Sequence, residues 1–215
     1  MVFPKWTNRI PLVILLIVIF LGIFIVFALW YWASPRFLEA GYQPKQPIAF
    51  SHRLHAGELG LDCRYCHSNV ERTAAASIPP TQVCMNCHNI VKRDSPEIQK
   101  LYASMEKDRP VEWIKVHNLP DYVYFDHSRH IQSGVGCATC HGRIDQMDVV
   151  RQVEPLSMAW CLDCHRDPAK FIRPASEVTT MDWSAGSDAD QITLGEQLVA
   201  AKHIQTKQDC STCHR

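Results

Sequence analysis

The sequence predicts a mainly irregular chain with short α-helices, preceded by one long apolar helix and with little room for a protein core. Three observations favour this class. Residues 10–32 form an uncharged apolar run, five copies of one Cys/His motif are spread over the rest of the chain, and prolines interrupt it throughout. No segment shows the alternating pattern of a long strand. A chain of 215 residues is long enough for one or two domains.

The overall charge excludes one class of function. The chain carries 22 basic and 22 acidic residues, so its formal net charge is zero. Nucleic-acid binding usually needs a basic excess, and we therefore expect no nucleic-acid partner. Ten cysteines in a chain of this length require a separate explanation, for which a disulfide framework and a set of zinc ligands are the simplest alternatives.

The apolar run is long enough to cross a membrane. A helix over residues 10–32 would span about 34 Å, more than the hydrocarbon core of about 30 Å. A cleaved signal peptide is the alternative, but its apolar region usually has only about 7–15 residues. This run ends in Trp30, Tyr31 and Trp32, which are typical of the membrane interface. We therefore expect an uncleaved helix that anchors the chain in the lipid bilayer.

The ten cysteines fall into five copies of Cys-x-x-Cys-His, the attachment signature of c-type haem. Two thiols three positions apart reach the two vinyl groups of one porphyrin, and the following histidine binds the iron. Zinc sites do not need a histidine after every second cysteine. The sequence therefore predicts five haem c groups. The motifs, numbered first to fifth in chain order, are Cys63/Cys66/His67, Cys84/Cys87/His88, Cys137/Cys140/His141, Cys161/Cys164/His165 and Cys210/Cys213/His214.

The basic residues near the apolar run predict its orientation. Lys5 and Arg9 precede the run, and the positive-inside rule places them in the cytoplasm, although Arg36 on the other side weakens the bias. The chain from residue 33 onwards would then lie on the periplasmic side of the inner membrane. Bacteria attach haem to c-type cytochromes in that compartment, so the two arguments agree.

An internal repeat organises the remaining histidines. Residues 48–67 and 123–141 both contain Phe-x-His-x-x-His, then a loop with glycine, then an attachment motif. A partial third copy over residues 203–214 has alanine, Ala200, at the first histidine position. The histidines outside the motifs, all candidate iron ligands, are His52, His55, His117, His127, His130 and His203.

This repeat resembles the class III multihaem cytochromes, the cytochrome c3 and c7 group, which pack around their haems. The resemblance implies that the first histidine of each pair, His52 or His127, binds the haem attached just downstream. The second histidine (His55, His130 and, in the third copy, His203) would reach another haem, and His117 could fill a remaining position. Six histidines then compete for five positions. Met158 is a less favoured ligand, since ordinary packing also explains it.

The same pattern divides the chain. We expect two units with two haems each, a single-haem end, and short helices joining them. One helix is predicted after Ser95-Pro96, and another from Thr193, with Glu196 in a capping box, delivering His203. The predicted segments are a cytoplasmic tail (1–9), the membrane helix (10–32), a linker (33–47), unit A with a connector (48–119), unit B (120–166), and a connector with the C-terminal unit (167–215).

Residues 59–71, 113–127 and 141–166 are similar to the pentahaem cytochrome subunit of bacterial alternative complex III. This resemblance implies an electron-transfer subunit, not an enzyme by itself. Its partners would be an iron–sulfur subunit and polytopic membrane subunits of a quinol-oxidising complex, with a monohaem cytochrome c or a terminal oxidase as acceptor. It also makes Trp113, Tyr122 and Tyr124 candidates for packing against haem, with ordinary hydrophobic packing as the alternative.

Other functional classes remain as alternatives. A self-sufficient membrane-anchored quinol dehydrogenase of the small tetrahaem type shares the anchor and the dense motifs, but needs an open haem site. Pentahaem nitrite reductases are larger and have a lysine-ended motif, whereas every motif here ends in histidine. A disulfide-linked structural protein would be colourless.

Overall fold

The computed structural model describes residues 3–214 and is built from short helices joined by irregular segments. No strand forms within this range, where the only β-type pairing given is a bridge between Val135 and Ile172. The predicted fold class is thereby confirmed. The α-helices are α1 (Ile10–Trp32), α2 (Pro35–Leu38), α3 (Cys63–Cys66), α4 (Thr81–His88), α5 (Pro96–Glu106), α6 (His127–Ser133), α7 (Cys137–His141), α8 (Met158–Arg166), α9 (Asp188–Ala201) and α10 (Cys210–Cys213).

Helix α1 has the bounds predicted for the membrane helix, and a 3-10 turn over Lys5–Arg9 precedes it. None of its residues is buried against the rest of the chain. Among the described residues, it is the one helix that is long and apolar enough to cross a membrane. An aromatic cluster ends it, in which Tyr31 packs against Phe27 and against Phe37 of α2. This arrangement is consistent with a single-pass membrane anchor.

The linker after α1 is held by backbone hydrogen bonds. The amide of Gly41 donates to the carbonyl of Gln152, and the amide of Gln152 donates to the carbonyl of Tyr42. The side chain of Gln43 donates to the carbonyl of Val149 at 2.8 Å. Gln152 itself is only 1% exposed. These hydrogen bonds therefore hold the linker against residues 149–152.

One of the two predicted helices begins where expected, and the other does not. Helix α5 begins at Pro96 after Ser95, as the sequence predicts. Helix α9 begins at Asp188, so the prediction of a start at Thr193 is wrong. Ser187 and Asp190 form the capping box, each accepting a hydrogen bond from the backbone of the other. Thr193 lies inside the helix, where its hydroxyl donates to the carbonyl of Ala189.

Apolar side chains form only small clusters. Ile48, Ile98 and Leu101 pack together with Trp113 at their edge. Ala169, Ile172 and Val178 are also buried, and the first two lie against α9. A chain with so few buried apolar residues gains little from hydrophobic burial.

The close approach of α9 to residues 168–170 depends on a glycine. A Cβ atom at Gly195 would lie 1.9 Å from the carbonyl oxygen of Ala169, a distance that real contacts do not show. Gln191 fixes the same contact by donating to the carbonyls of Ala169 and Ile172, at 2.9 Å each.

We therefore expect Gly195→Ala to lower the apparent melting temperature of the haem-loaded protein, although alanine favours helices intrinsically. Overpacking of this kind typically costs about 1–3 kcal/mol. Thermal unfolding followed by circular dichroism in detergent measures the effect. Glu196→Ala, at the neighbouring exposed position, is the matched control. An unchanged or higher melting temperature for Gly195→Ala would show that the helix moves away at little cost.

Candidate haem sites

Each attachment motif lies on a short helix that presents its two thiols on one side. Residues three apart on a helix share a face, so the two cysteines of each motif point the same way. Aspartates cap two of these helices: Asp62 accepts a hydrogen bond from the amide of Arg64, and Asp209 accepts one from the amide of Thr212. Ser157 caps α8 in the same manner. The local sequence thus shapes each motif before any cofactor is considered.

The cysteines form neither disulfides nor metal clusters. All ten lie within residues 3–214, and no disulfide joins any two of them. Within the same range, no group of three or more His, Cys, Asp and Glu side chains is arranged to hold a metal ion. A zinc site needs four such ligands close together. The arrangement therefore disfavours the zinc alternative, whereas haem needs only two protein ligands per iron.

Hydrogen bonds fix the ring orientation of seven histidines. In each, the ring Nδ1 lies within hydrogen-bonding distance of a backbone carbonyl oxygen. Because a carbonyl can only accept, Nδ1 carries the proton and Nε2 keeps a free electron pair. Such a partner on the second ring nitrogen is the usual companion of a metal-binding histidine. The pairs are His55–Ser51, His67–Ser77, His88–Val91, His127–Ala74, His130–Asp126, His165–Lys207 and His214–Tyr122.

Three pairs of rings face each other at a common separation. The ring centroids lie 6.2 Å apart for His55 and His88, and 6.1 Å apart for His130 and His165. Those of His127 and His141 lie 6.5 Å apart, with the rings nearly parallel. Metal–nitrogen bonds to histidine are about 2 Å long, so this separation leaves room for one metal ion between the two rings. The residues present therefore fit a haem iron that two histidines would hold.

Comparison with known proteins identifies the family. The family model described as cytochrome c7 and related cytochrome c matches residues 48–106 and 123–215. The chain belongs to this family. It is therefore a multihaem cytochrome with covalently bound haem c, and its Cys-x-x-Cys-His motifs are the attachment points that such haem requires.

A curated relative points to the same kind of protein. The chain is 36% identical over 123 residues to the multihaem cytochrome c subunit of a menaquinone reductase from Nitratidesulfovibrio vulgaris. The match covers 57% of this chain and 57% of the relative, so the cytochrome spans little more than half the length of that protein.

The repeat predicted from the sequence also has a common geometry. Phe50 stacks on His55 and meets His52 edge-on, with ring centroids 4.4 Å and 4.9 Å away. Phe125 stacks on His130 and meets His127 edge-on, at 4.3 Å and 4.8 Å. The phenylalanine ring of each unit thus packs against both histidine rings of that unit. This role of the phenylalanine was not predicted, although the recurrence of the residue in both copies of the repeat was a signal for it in the sequence.

Burial keeps two further histidines of the cytochrome neutral. It lowers the pKa of His52 to about 4, and the neighbouring His67 and His55 lower it further. Burial likewise lowers the pKa of His141 to about 3, and repulsion from His117 and His127 lowers it further. Both imidazoles are therefore unprotonated at neutral pH, which iron binding requires. The Nδ1 of His52 is buried without a hydrogen-bond partner, in contrast to the seven carbonyl-bonded histidines.

The three remaining candidate ligands, His117, His203 and Met158, differ in burial. His117 is half-buried, and its Nε2 lies 3.4 Å from Nδ1 of His141, the ring atom that the other motif histidines direct at a carbonyl. His203 is exposed and has a left-handed backbone, with φ of 51°. Met158 is 63% exposed at the start of α8. The fifth motif is bordered by Tyr122, whose ring lies 5.8 Å from that of His214.

The aromatic residues expected to cover haem divide into two groups. Trp113 packs against the small cluster of Ile48, Ile98 and Leu101, as ordinary hydrophobic packing predicts. Tyr122 and Tyr124 are 64% and 55% exposed. The amide of Tyr124 donates to the carbonyl of Cys213, so this exposed pair lies at the fifth motif, where a haem would cover it.

Because six histidines compete for five distal positions, one of the two single variants His117→Ala and His203→Ala should convert a haem from low spin to high spin. The other variant should keep every haem low spin. Electron paramagnetic resonance of the oxidised protein measures this directly. Leu59→Ala, an exposed apolar change, is the control for non-specific effects. High-spin haem in both variants, or in neither, contradicts the ligand set.

Proposed function

We propose that this cytochrome is the pentahaem electron-transfer subunit of a quinol-oxidising membrane complex of the alternative complex III type. The observation that carries the proposal is the pairing of imidazole rings at 6.1–6.5 Å. At each of these three motifs, two histidines would hold the haem iron and would leave no position for a substrate. The proposed role of the chain is therefore electron transfer and not catalysis by the chain itself.

The proposed cofactors are five haem c groups, one at each attachment motif. The proximal ligands are the motif histidines His67, His88, His141, His165 and His214. The repeat geometry supports His55, His127 and His130 as distal ligands of the second, third and fourth haems. His52 is proposed for the first haem, and His117 or His203 for the fifth.

The proposed location is the periplasmic side of the cytoplasmic membrane, with α1 as a single-pass anchor. Lys5 and Arg9 support this orientation because they precede α1. The pairing of the linker with residues 149–152 supports a haem-binding segment held at a fixed distance from the bilayer. A relay in that position can accept electrons from a quinol-oxidising partner without a quinol site of its own.

The proposed electron path begins at an iron–sulfur subunit and ends at a monohaem cytochrome c or a terminal oxidase. The resemblance of residues 59–71, 113–127 and 141–166 to the alternative complex III subunit supports this direction. The relative from Nitratidesulfovibrio vulgaris is named for menaquinone reduction, which is the opposite direction. The direction is therefore a separate question for experiment.

The test is purification of the native complex from mildly solubilised membranes through a tag on this chain. We expect an iron–sulfur subunit and polytopic membrane subunits to copurify, and menaquinol to reduce the haems. Intact-mass measurement of the tagged chain should show five added haem groups. The same purification from cells that lack the tag is the control for proteins that bind the resin.

Three results would contradict the proposal in different ways. A lone cytochrome that menaquinol still reduces would support the self-sufficient dehydrogenase instead. A complex that only reduces menaquinone, when given a reduced donor, would reverse the proposed direction. Fewer than five haems on the intact chain would contradict the haem count.

A further inference from the structure

The spatial order of the five attachment motifs differs from their order in the sequence. The second motif adjoins the first, since the side chain of Asn86 donates to the hydroxyl of Tyr65 at 3.0 Å. His55, which faces His88, lies one turn after His52, the candidate ligand of the first haem.

The first motif also adjoins the third. The amide of Cys137 donates to the carbonyl of Val178 at 2.9 Å, and the hydroxyl of the next residue, Thr179, donates to the carboxylate of Asp62, just before the first motif, at 3.3 Å. His127, which faces His141, is bonded to the segment after the first motif. Its amide and its ring Nδ1 both contact the carbonyl oxygen of Ala74, at 3.1 Å and 2.7 Å.

The third motif adjoins the fourth, and the fourth adjoins the fifth. His127 and His130 lie one turn apart on α6 and face the motif histidines of the third and fourth motifs. His165 of the fourth motif directs Nδ1 at the carbonyl of Lys207, just before the fifth motif, at 2.8 Å.

The solvent exposure of the cysteines singles out the second and the fifth motif. Cys87 of the second motif and Cys210 of the fifth are exposed, whereas the other eight cysteines are partly buried. A linear order of second, first, third, fourth and fifth places these two motifs at the termini. Two independent features, the contacts between motifs and the exposure of their thiols, thus agree.

We propose that electrons cross the molecule in this order and that the haems at the second and fifth motifs are the two contact points with partner proteins. The inference rests on the proposed electron-transfer function. Each step oxidises one reduced iron and reduces its oxidised neighbour by one electron, with no bond made or broken. The first haem in the sequence is therefore internal to the path.

The test uses the full-length, haem-loaded protein in detergent. Replacing a distal histidine with methionine raises the potential of that haem. A haem with a raised potential is reduced earlier in a titration, and its changed charge shifts the potentials of the other haems. The shift is largest for the adjacent haems because Coulomb interactions weaken with distance. His55→Met should therefore shift the midpoint of one other haem, the first. His52→Met should shift those of two, the second and third. Redox titrations followed by nuclear magnetic resonance resolve the individual haems.

Leu54→Met, between the two histidines, is the matched control and should shift none of the haems. A shift of the third haem in His55→Met as large as that of the first would overturn the order. An experimental structure of the loaded protein gives a second measurement, in which the first iron should lie between the second and third. Neither measurement uses quinol, so an intact order with no reduction by menaquinol would refute the proposed function alone.

A second observation concerns a buried charge. Arg173 is only 8% exposed, donates from Nη1 to the carbonyl of Thr180 at 3.0 Å, and lies over the ring of Trp183. Its Nε is buried without a hydrogen-bond partner. None of the salt bridges within residues 3–214 includes Arg173. A guanidinium stays charged in proteins, and a buried charge without a counter-ion is costly.

The guanidinium lies against the third attachment motif. A Cβ at Gly136, the residue before Cys137, would be 2.3 Å from Cζ of Arg173. Glycine at this position therefore admits the guanidinium beside the haem attachment site. Haem carries carboxylates on its propionate groups, and arginine matches a carboxylate with two parallel hydrogen bonds. We infer that Arg173 binds a propionate of the haem attached to Cys137 and Cys140.

We expect Arg173→Gln to lower the potential of one haem, because an unneutralised propionate stabilises the oxidised, more positive iron. The effect should be about tenfold in the reduction equilibrium, the order expected for a hydrogen bond to a charged group. Arg143→Gln is the matched control, because Arg143 also follows the third motif but is exposed and paired with Asp145. It should leave all five potentials unchanged.

Arg173→Lys keeps the positive charge and tests the binding of the propionate if Arg173→Gln does not fold. In this variant, the potential of the affected haem should stay closer to that of the native protein than in Arg173→Gln. An unchanged potential in a folded Arg173→Gln protein would overturn the inference. So would an experimental structure in which Arg173 pairs with Glu177 instead of a propionate.

Discussion

The hydrogen bond from a histidine ring to a backbone carbonyl is the interaction on which the rest of this cytochrome depends. It fixes which nitrogen is free for iron, and it also joins distant parts of the chain. His127 is bonded to Ala74, His165 to Lys207 and His214 to Tyr122. In a molecule with few apolar clusters, these contacts orient the ligands and hold the segments together at the same time.

This dual role explains why the protein can be small and mostly irregular. Among the described residues, few apolar side chains are buried, and Ile48, Ile98 and Leu101 form one small cluster. Candidate haem ligands that are buried and neutral, such as His141, would be costly features in a chain without cofactor. We therefore expect folding and haem binding to be linked, as they are in small proteins that fold around a metal.

The repeated unit explains how one short motif builds a chain of haems. Each Phe-x-His-x-x-His segment directs two imidazoles, one turn apart, toward two different attachment motifs, with the phenylalanine ring between them. A unit of this kind necessarily places two haems side by side. The contacts of Asp62 with Thr179 and of Ala74 with His127 place the first motif between the second and the third, which makes the spatial order differ from the order in the chain.

The sequence by itself determined the attachment motifs, the bounds of the long apolar helix, the class of fold and the repeat, because these depend on spacing within short segments. It located α5 from its Ser95-Pro96 start but misplaced the start of α9, since Thr193 and Glu196 also fit a capping pattern that Ser187 and Asp190 satisfy. Tertiary structure alone decided which histidines face each other, that Arg173 is buried at Gly136, and which motifs adjoin. Those features depend on contacts between residues far apart in the chain, which local spacing does not specify.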